Sequence, residues 1–279
     1  MHRTGYSTHG SGIKRKVNMN ILDRFSLKGK VALVTGGSGL YGRQMVRAMA
    51  EAGAVTYTAS RNIEKLSEFT KMLKGEGLDV TPLTYDQSSI ESIVALRDEI
   101  IERSGKIDIL INNSVARSGP VEELTEEKAN WDFGVNATGI IMMCREFGKA
   151  MAAAGSGSVI NIGSIYGLVG YDDWLYEGTG LLKTGGAAYY YNKGGMVNLT
   201  RFFAGFYGPS GVRYNCIHPG GYETESQPEA FKKNYSDKTF LKRLANDDDM
   251  KGILVFLASD ASAYITGTNI PVDGGLTAK

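Results

Sequence analysis

The chain has 279 residues, 42% hydrophobic and 22% charged, enough to bury one large core or two small ones. Its 31 Lys and Arg against 30 Asp and Glu leave a net charge of +1, which offers nothing to a polyanion and argues against a nucleic-acid partner. Cys144 and Cys216 sit inside apolar runs and suit a reducing, cytoplasmic setting; with the three histidines they form no metal-ligand spacing, so no metal site is expected.

The opening stretch, MHRTGYSTHGSGIKRKVN, carries Arg3, Lys14, Arg15 and Lys16 and no acid. It has neither the apolar segment of a secretory signal nor the arginine spacing of a transit peptide, and no membrane association is expected. Residues 1–25 read as a flexible tail or an over-extended start, with Met19 a natural first residue. No Pro-, Ser- or Gly-rich linker follows, so residues 26–279 are expected to form a single domain.

From Lys30 onward, β-branched runs alternate with amphipathic ones. VALVT (31–35) predicts a strand, GRQMVRAMAEAGA a helix, VTYTAS (55–60) a strand and NIEKLSEFTKMLKGEG a helix. VTPLTYD (80–86), IDILINN (107–113), GSVINIGS (157–164), VRYNCIHPG and NIPVD predict five more strands. Helices are expected over IESIVALRDEIIERSG, about 125–150, about 187–207 and near 248–258, the last with Asp247, Asp248 and Asp249 as an acidic start. Strand-helix alternation at a spacing too long for hairpins predicts a doubly wound α/β domain of Rossmann type: a parallel sheet with helices on both faces. Such sheets bind ligands at the carboxyl ends of their strands.

The first strand-helix turn is TGGSGLYG (35–42). Glycines there let the backbone turn tightly and approach a pyrophosphate, whose charge the helix N-terminus stabilises. Gly36, Gly39, Leu40 and Gly42 are therefore candidate cofactor residues. After the second strand, where a carboxylate would bind a ribose 2′-hydroxyl, stand Ser60 and Arg61. A cation without a carboxylate favours a 2′-phosphate, hence NADP(H), with NAD(H) the alternative if Arg61 is solvated or stacks on adenine. Asp86 either bonds the adenine amino group or caps a strand end.

Taken together, these segments resemble the short-chain dehydrogenases/reductases over residues 26–279, on motifs in the family's order. INNS (111–114) resembles the family's Asn-Asn-Ala-Gly, with Asn113; VNATG (135–139) resembles the segment with an active-site Asn, here Asn136; NIGSIYG (161–167) resembles the catalytic Ser strand, with Ser164. YYYNK resembles Tyr-x-x-x-Lys, HPGGYET the Pro-Gly-to-Thr segment with Pro219, Gly220 and Thr224, and ITGTNIPVDGG the C-terminal signature. The resemblance is to the short branch, among its sugar, polyol and sugar-acid oxidoreductases of gluconate 5-dehydrogenase type. Three features depart from it: Leu40 replaces a usual Gly, Ser114-Val115 replaces Ala-Gly, and 24 residues separate Ser164 from Tyr189, a longer gap than the family commonly has.

Helical periodicity admits both Tyr189, four before Lys193, and Tyr190, three before it; the family's spacing selects Tyr189. The resemblance implies that Tyr189 exchanges a proton with the substrate oxygen, Ser164 hydrogen-bonds that oxygen, Lys193 favours the phenolate and binds the ribose, and Asn136 holds a relay water. It also implies that Thr224 and the backbone after Pro219 hold the nicotinamide carboxamide. His218 is read as structural. The further implication is a homo-oligomer, tetramer or dimer, built on the tyrosine helix and the one before it.

An insertion at about 168–186 lies between two catalytic residues and is expected to wall the substrate site. Tyr166, Tyr171, Trp174, Tyr176, Glu177 and Lys183, in or beside it, mix aromatic faces with charges, which suits a sugar, polyol or sugar acid. Arg117 is a candidate clamp for a substrate carboxylate or phosphate. PGGYETESQPEAFKKNY (219–235) reads as a possible lid. The expected activity is NAD(P)-dependent interconversion of a secondary alcohol and a ketone; the alternatives are a 3-oxoacyl thioester reductase and a dinucleotide sensor without turnover.

Overall fold

The computed structural model describes residues 20–181 and 186–278, so Lys183 and the segment before Asn20 lie outside the described residues. The β-branched runs form β1 (Val31–Thr35), β2 (Val55–Ser60), β3 (Val80–Thr84), β4 (Ile109–Asn112), β5 (Gly157–Ile162), β6 (Val212–Pro219) and β7 (Asn269–Val272). Between them run α1 (Leu40–Glu51), α2 (Ile63–Gly75), α3 (Ile90–Ser104), α4 (Glu126–Phe133), α5 (Ile140–Ala154), α6 (Ala187–Tyr207), α7 (Glu229–Lys238) and α8 (Lys251–Ala258).

All seven strands are parallel, in the order β3-β2-β1-β4-β5-β6-β7. The expected doubly wound sheet is thus the observed one. The winding reverses between β1 and β4, which opens a crevice at their carboxyl ends. Side chains alternate across each strand, as pleating requires. Leu33 packs with Leu96, Phe147 and Phe203 from α3, α5 and α6, whereas Ala32 and Val34 pack with Met45, Leu73 and Leu254 from α1, α2 and α8. Each fully buried Leu, Phe or Met contributes about 1.5–3 kcal/mol relative to exposure. These two layers fix the strand ends that carry the site.

Two departures from the sequence reading have visible causes. The helix expected over 125–150 is α4 and α5 joined by a π-helical turn, Gly134–Gly139. The Gln87 amide donates to Val135 O at 2.9 Å, and a Cβ at Gly139 would stand 2.3 Å from Gln87 O. A side chain from another element thus enters the helical ladder and widens it. Residues 22–25, assigned to the tail, instead form a 3₁₀ turn, with Phe25 against Phe256 at 6.0 Å and Arg24 bonded to Asp260 O.

The acidic triplet lies just before α8: Asp249 takes both guanidinium arms of Arg243, and Asp247 accepts from Gln44 and Tyr222. A third, smaller apolar cluster joins Leu175 and Tyr176 of the insertion to Tyr235 of α7 and to Ile165 and Leu244. Among the described residues, no helix is long and apolar enough to cross a membrane.

Candidate active site

The glycine turn lies where β1 hands over to α1. Gly36 has φ +67°, a left-handed conformation that favours glycine. A Cβ at Gly42 would fall 2.1 Å from Gly36 O, and one at Gly37 would fall 2.0 Å from Thr58 Oγ1, so the turn and helix can close only on bare backbone. Gly39 is the helix N-cap and supplies no side-chain cap, which leaves first-turn amides for an anion; Leu40 follows, exposed. Asn113 acts on this turn from β4's end: its Nδ2 donates to Thr35 O and Gly36 O at 3.0 and 3.1 Å. A pyrophosphate fits this cradle.

At the end of β2, the Ser60 hydroxyl donates to Asn62 O. Arg61 is exposed, its guanidinium 5.9 Å from the centre of the Trp131 ring, and no described acid forms an ion pair with it. Asp86, after β3, accepts from the Ser88 amide and hydroxyl, and these bonds hold its carboxyl below the ordinary value, with Arg61 adding to the shift. Across the crevice, Pro219 ends β6, Gly220 O accepts from the Tyr41 hydroxyl at 2.8 Å, and Thr224 N bonds Gln227. Tyr41 therefore bridges the cofactor turn and the Pro-Gly segment, a link that sequence reading missed because its two ends are 179 residues apart.

The catalytic candidates converge on the end of β5 and the start of α6. Ser164 is two residues beyond β5, and its Oγ accepts from Tyr166 N at 3.2 Å, which leaves the hydroxyl proton for another acceptor. His218, fully buried, holds the Ser164 backbone through Nδ1 and contacts Asn269 through Nε2. Lys193 Nζ donates to Ile162 O at 2.6 Å and lies 5.6 Å from the centre of the Tyr189 ring. The Tyr189 hydroxyl makes no hydrogen bond among the described residues, whereas Tyr191, two before Lys193, is 70% exposed. Asn136 is buried, with Nδ2 donating to Ala116 O and to Asp132, and Oδ1 accepting from Ala116 N.

Around Tyr189 stand Arg117, whose guanidinium is 5.2 Å from the ring centre, and Tyr166, edge-on at 6.4 Å. Tyr166 stacks on Tyr190 at 4.6 Å and pairs its hydroxyl with that of Tyr176 at 3.0 Å; burial pushes its phenol well above the ordinary value, so it stays neutral. Tyr176 is itself buried against Tyr171 and Phe231. Trp174 lies against Lys238 of α7 at 4.8 Å. The insertion and α7 thus lean on each other beside the tyrosine turn.

The family described as enoyl-(acyl carrier protein) reductase matches residues 38–277. The chain is 33% identical to D-threitol dehydrogenase of Mycolicibacterium smegmatis, over 91% of this chain and 95% of that one. It is 34% identical to 2-dehydro-3-deoxy-D-gluconate 5-dehydrogenase of Bacillus subtilis, over 91% and 96%. Among solved structures, a gluconate 5-dehydrogenase of Burkholderia cenocepacia in complex with NADP and tartrate superimposes with a TM-score of 0.82 at 30% identity, covering 93% of this chain and all of the other. With a dinucleotide cradle at the sheet's switch point and a Ser-Tyr-Lys cluster beside it, the chain belongs to the short-chain dehydrogenases/reductases, and it is a nicotinamide-dependent oxidoreductase acting on CH–OH groups.

Proposed function

We propose that the protein interconverts a secondary alcohol and a ketone on a sugar, polyol or sugar acid, using NADP(H). One observation carries the substrate reading: Arg117, exposed and without an acid partner among the described residues, stands over the Tyr189 ring beside the stacked rings of Tyr166 and Tyr190. A guanidinium there can clamp a carboxylate or phosphate, and the aromatic wall suits the C–H faces of a polyhydroxylated chain. A long acyl chain would call for a more continuous apolar lining.

When bound, the nicotinamide supplies or accepts the hydride. Everything else falls to this chain. The first turn of α1 and the loop before it, with Gly36, Gly39, Leu40 and Gly42, would hold the pyrophosphate, Arg61 the 2′-phosphate, Asp86 the adenine, and Pro219, Gly220 and Thr224 the nicotinamide. Ser164 donates its free hydroxyl proton to the substrate oxygen. Tyr189 takes the alcohol's proton in oxidation and returns one in reduction, with Lys193 placing a positive charge against the phenol and reaching the ribose hydroxyls. Asn136, with one lone pair of Oδ1 uncommitted, would hold a relay water.

Tyr166, Trp174 and Tyr176 wall the substrate side, with α7 as a lid. The exposed stripe of Tyr191, Phe202 and Phe206 on α6 supports a homo-oligomer packed through that helix. A panel of polyols, sugar acids and one 3-oxoacyl thioester, each with NADP and NAD, tests the reading. Turnover of the thioester alone would transfer the site to acyl chemistry. Cofactor binding without any turnover would make the protein a sensor, a role against which the complete Asn136, Ser164, Tyr189 and Lys193 set argues.

A further inference from the structure

Asp132, on α4, is fully buried and pairs with no cation among the described residues. Burying a carboxylate is costly unless hydrogen bonds replace its water. Here three donors do so, from three parts of the site. Oδ1 accepts from Asn136 Nδ2 at 2.7 Å and from Asn192 Nδ2 at 2.8 Å; Oδ2 accepts from the Ser118 amide at 3.0 Å. Asn136 belongs to the catalytic set, Asn192 adjoins Lys193 on α6, and Ser118 follows Arg117.

The loop that carries Arg117 is gripped from both sides. Ala116 exchanges two hydrogen bonds with Asn136, and Gly186, at the start of α6, lies so close to Gly119 that a Cβ there would fall 2.0 Å from its carbonyl oxygen. Asp132 joins these contacts into one unit. We infer that Asp132 is a positioning residue that holds the 116–118 loop, and with it Arg117, in register with Asn136 and the Tyr189–Lys193 turn.

A carboxylate fills this role without turning any neighbour. Two oxygens accept three N–H groups, and an amide offers one oxygen and two donors of its own. In Asp132→Asn, an oxygen turned toward Asn136 and Asn192 leaves an NH₂ facing the Ser118 amide; an oxygen turned toward Ser118 leaves an NH₂ facing Asn136 Nδ2, and Asn192 meets it only by turning its own Oδ1 inward and its NH₂ into the packing. Buried donors then face donors, and the orientation that keeps both asparagine bonds gives up the single bond to the loop. Asn192→Ala differs, because it removes one tie between α4 and α6 and keeps the loop bond.

The consequence for substrate rests on Arg117 being the substrate clamp, whereas the loop's anchoring does not. Two readouts separate them. Hydrogen exchange of the 116–118 amides is expected to quicken at least about tenfold in D132N and to stay within about twofold of wild type in N192A. Unchanged exchange in D132N would overturn the inference whatever the substrate proves to be. In turnover, D132N is expected to raise the substrate KM about tenfold or more, with kcat within about threefold and cofactor affinity within about twofold, while N192A lowers the melting temperature without moving KM. Faster loop exchange with an unmoved KM would keep the positioning role and refute Arg117 as the clamp. A D132N protein that no longer binds cofactor, or an N192A protein with the same KM rise, would make Asp132 a residue of general packing and overturn the inference.

Discussion

The proposed preference for NADP(H) rests on Arg61. It is exposed, leans on Trp131 and forms no ion pair with a described acid, so removing it costs the fold about 0.5–1 kcal/mol at most. A charge-assisted hydrogen bond to a phosphate is worth about 1.5–3 kcal/mol. Arg61→Ala should therefore weaken NADP(H) binding by about ten- to a hundredfold in a fluorescence titration and leave NAD(H) within about twofold; an equal loss for both would assign Arg61 to another task. At this scale the sequence was readable where chemistry has a spacing. Tyr189 and Lys193 lie one helical turn apart, and the glycines of 36–42 mark a turn in any setting. Asp132 was not readable, because Asn136, Ser118 and Asn192 meet it from 4, 14 and 60 residues away only once the chain has folded.

Elements meet the cofactor cradle through their closest approach. Gly37 sits where a Cβ would stand 2.0 Å from Thr58 Oγ1 and 2.7 Å from Val46 Cγ2, and the Thr58 hydroxyl is tied to Val34 O, so neither neighbour yields freely. Gly37→Ala should push α1 from β2 and lower stability by about 1–3 kcal/mol in urea unfolding. An unchanged midpoint would show that the turn relaxes without cost. The strands were legible because β-branched runs need no partner to declare themselves, and their alternation with amphipathic stretches leaves few topologies. The π-turn at 134–139 was hidden for the opposite reason: no residue of GVNATG marks it, and its cause is Gln87 reaching in from after β3. The docking of α7 on the insertion was equally hidden, since it rests on contacts such as Tyr176 with Phe231.

For the whole molecule, paired carboxylates set the response to acid. Arg243 grips Asp249 at 2.5 and 2.7 Å and holds its carboxyl below the usual range, as Ser88 does for Asp86. A folded value below the unfolded one, about 3.9, stabilises the protein above that pH, and the gain is lost as pH falls through the folded value. Asp249→Asn should thus melt below wild type at pH 7, with the gap closing below about pH 4; a gap constant with pH would place its origin in packing and not in charge. The proposed reaction centre lies at one point of the sheet, where the end of β5 and the start of α6 carry Ser164, Tyr189 and Lys193. The most direct test is the initial rate of nicotinamide reduction with a polyol and sugar-acid panel, for wild type and Tyr189→Phe side by side. Wild-type turnover that falls at least about a hundredfold in the variant, with cofactor affinity unchanged, is the predicted result. A variant that retains near-wild-type rates would contradict Tyr189 as the proton-exchanging group and, with it, the mechanism derived from this site.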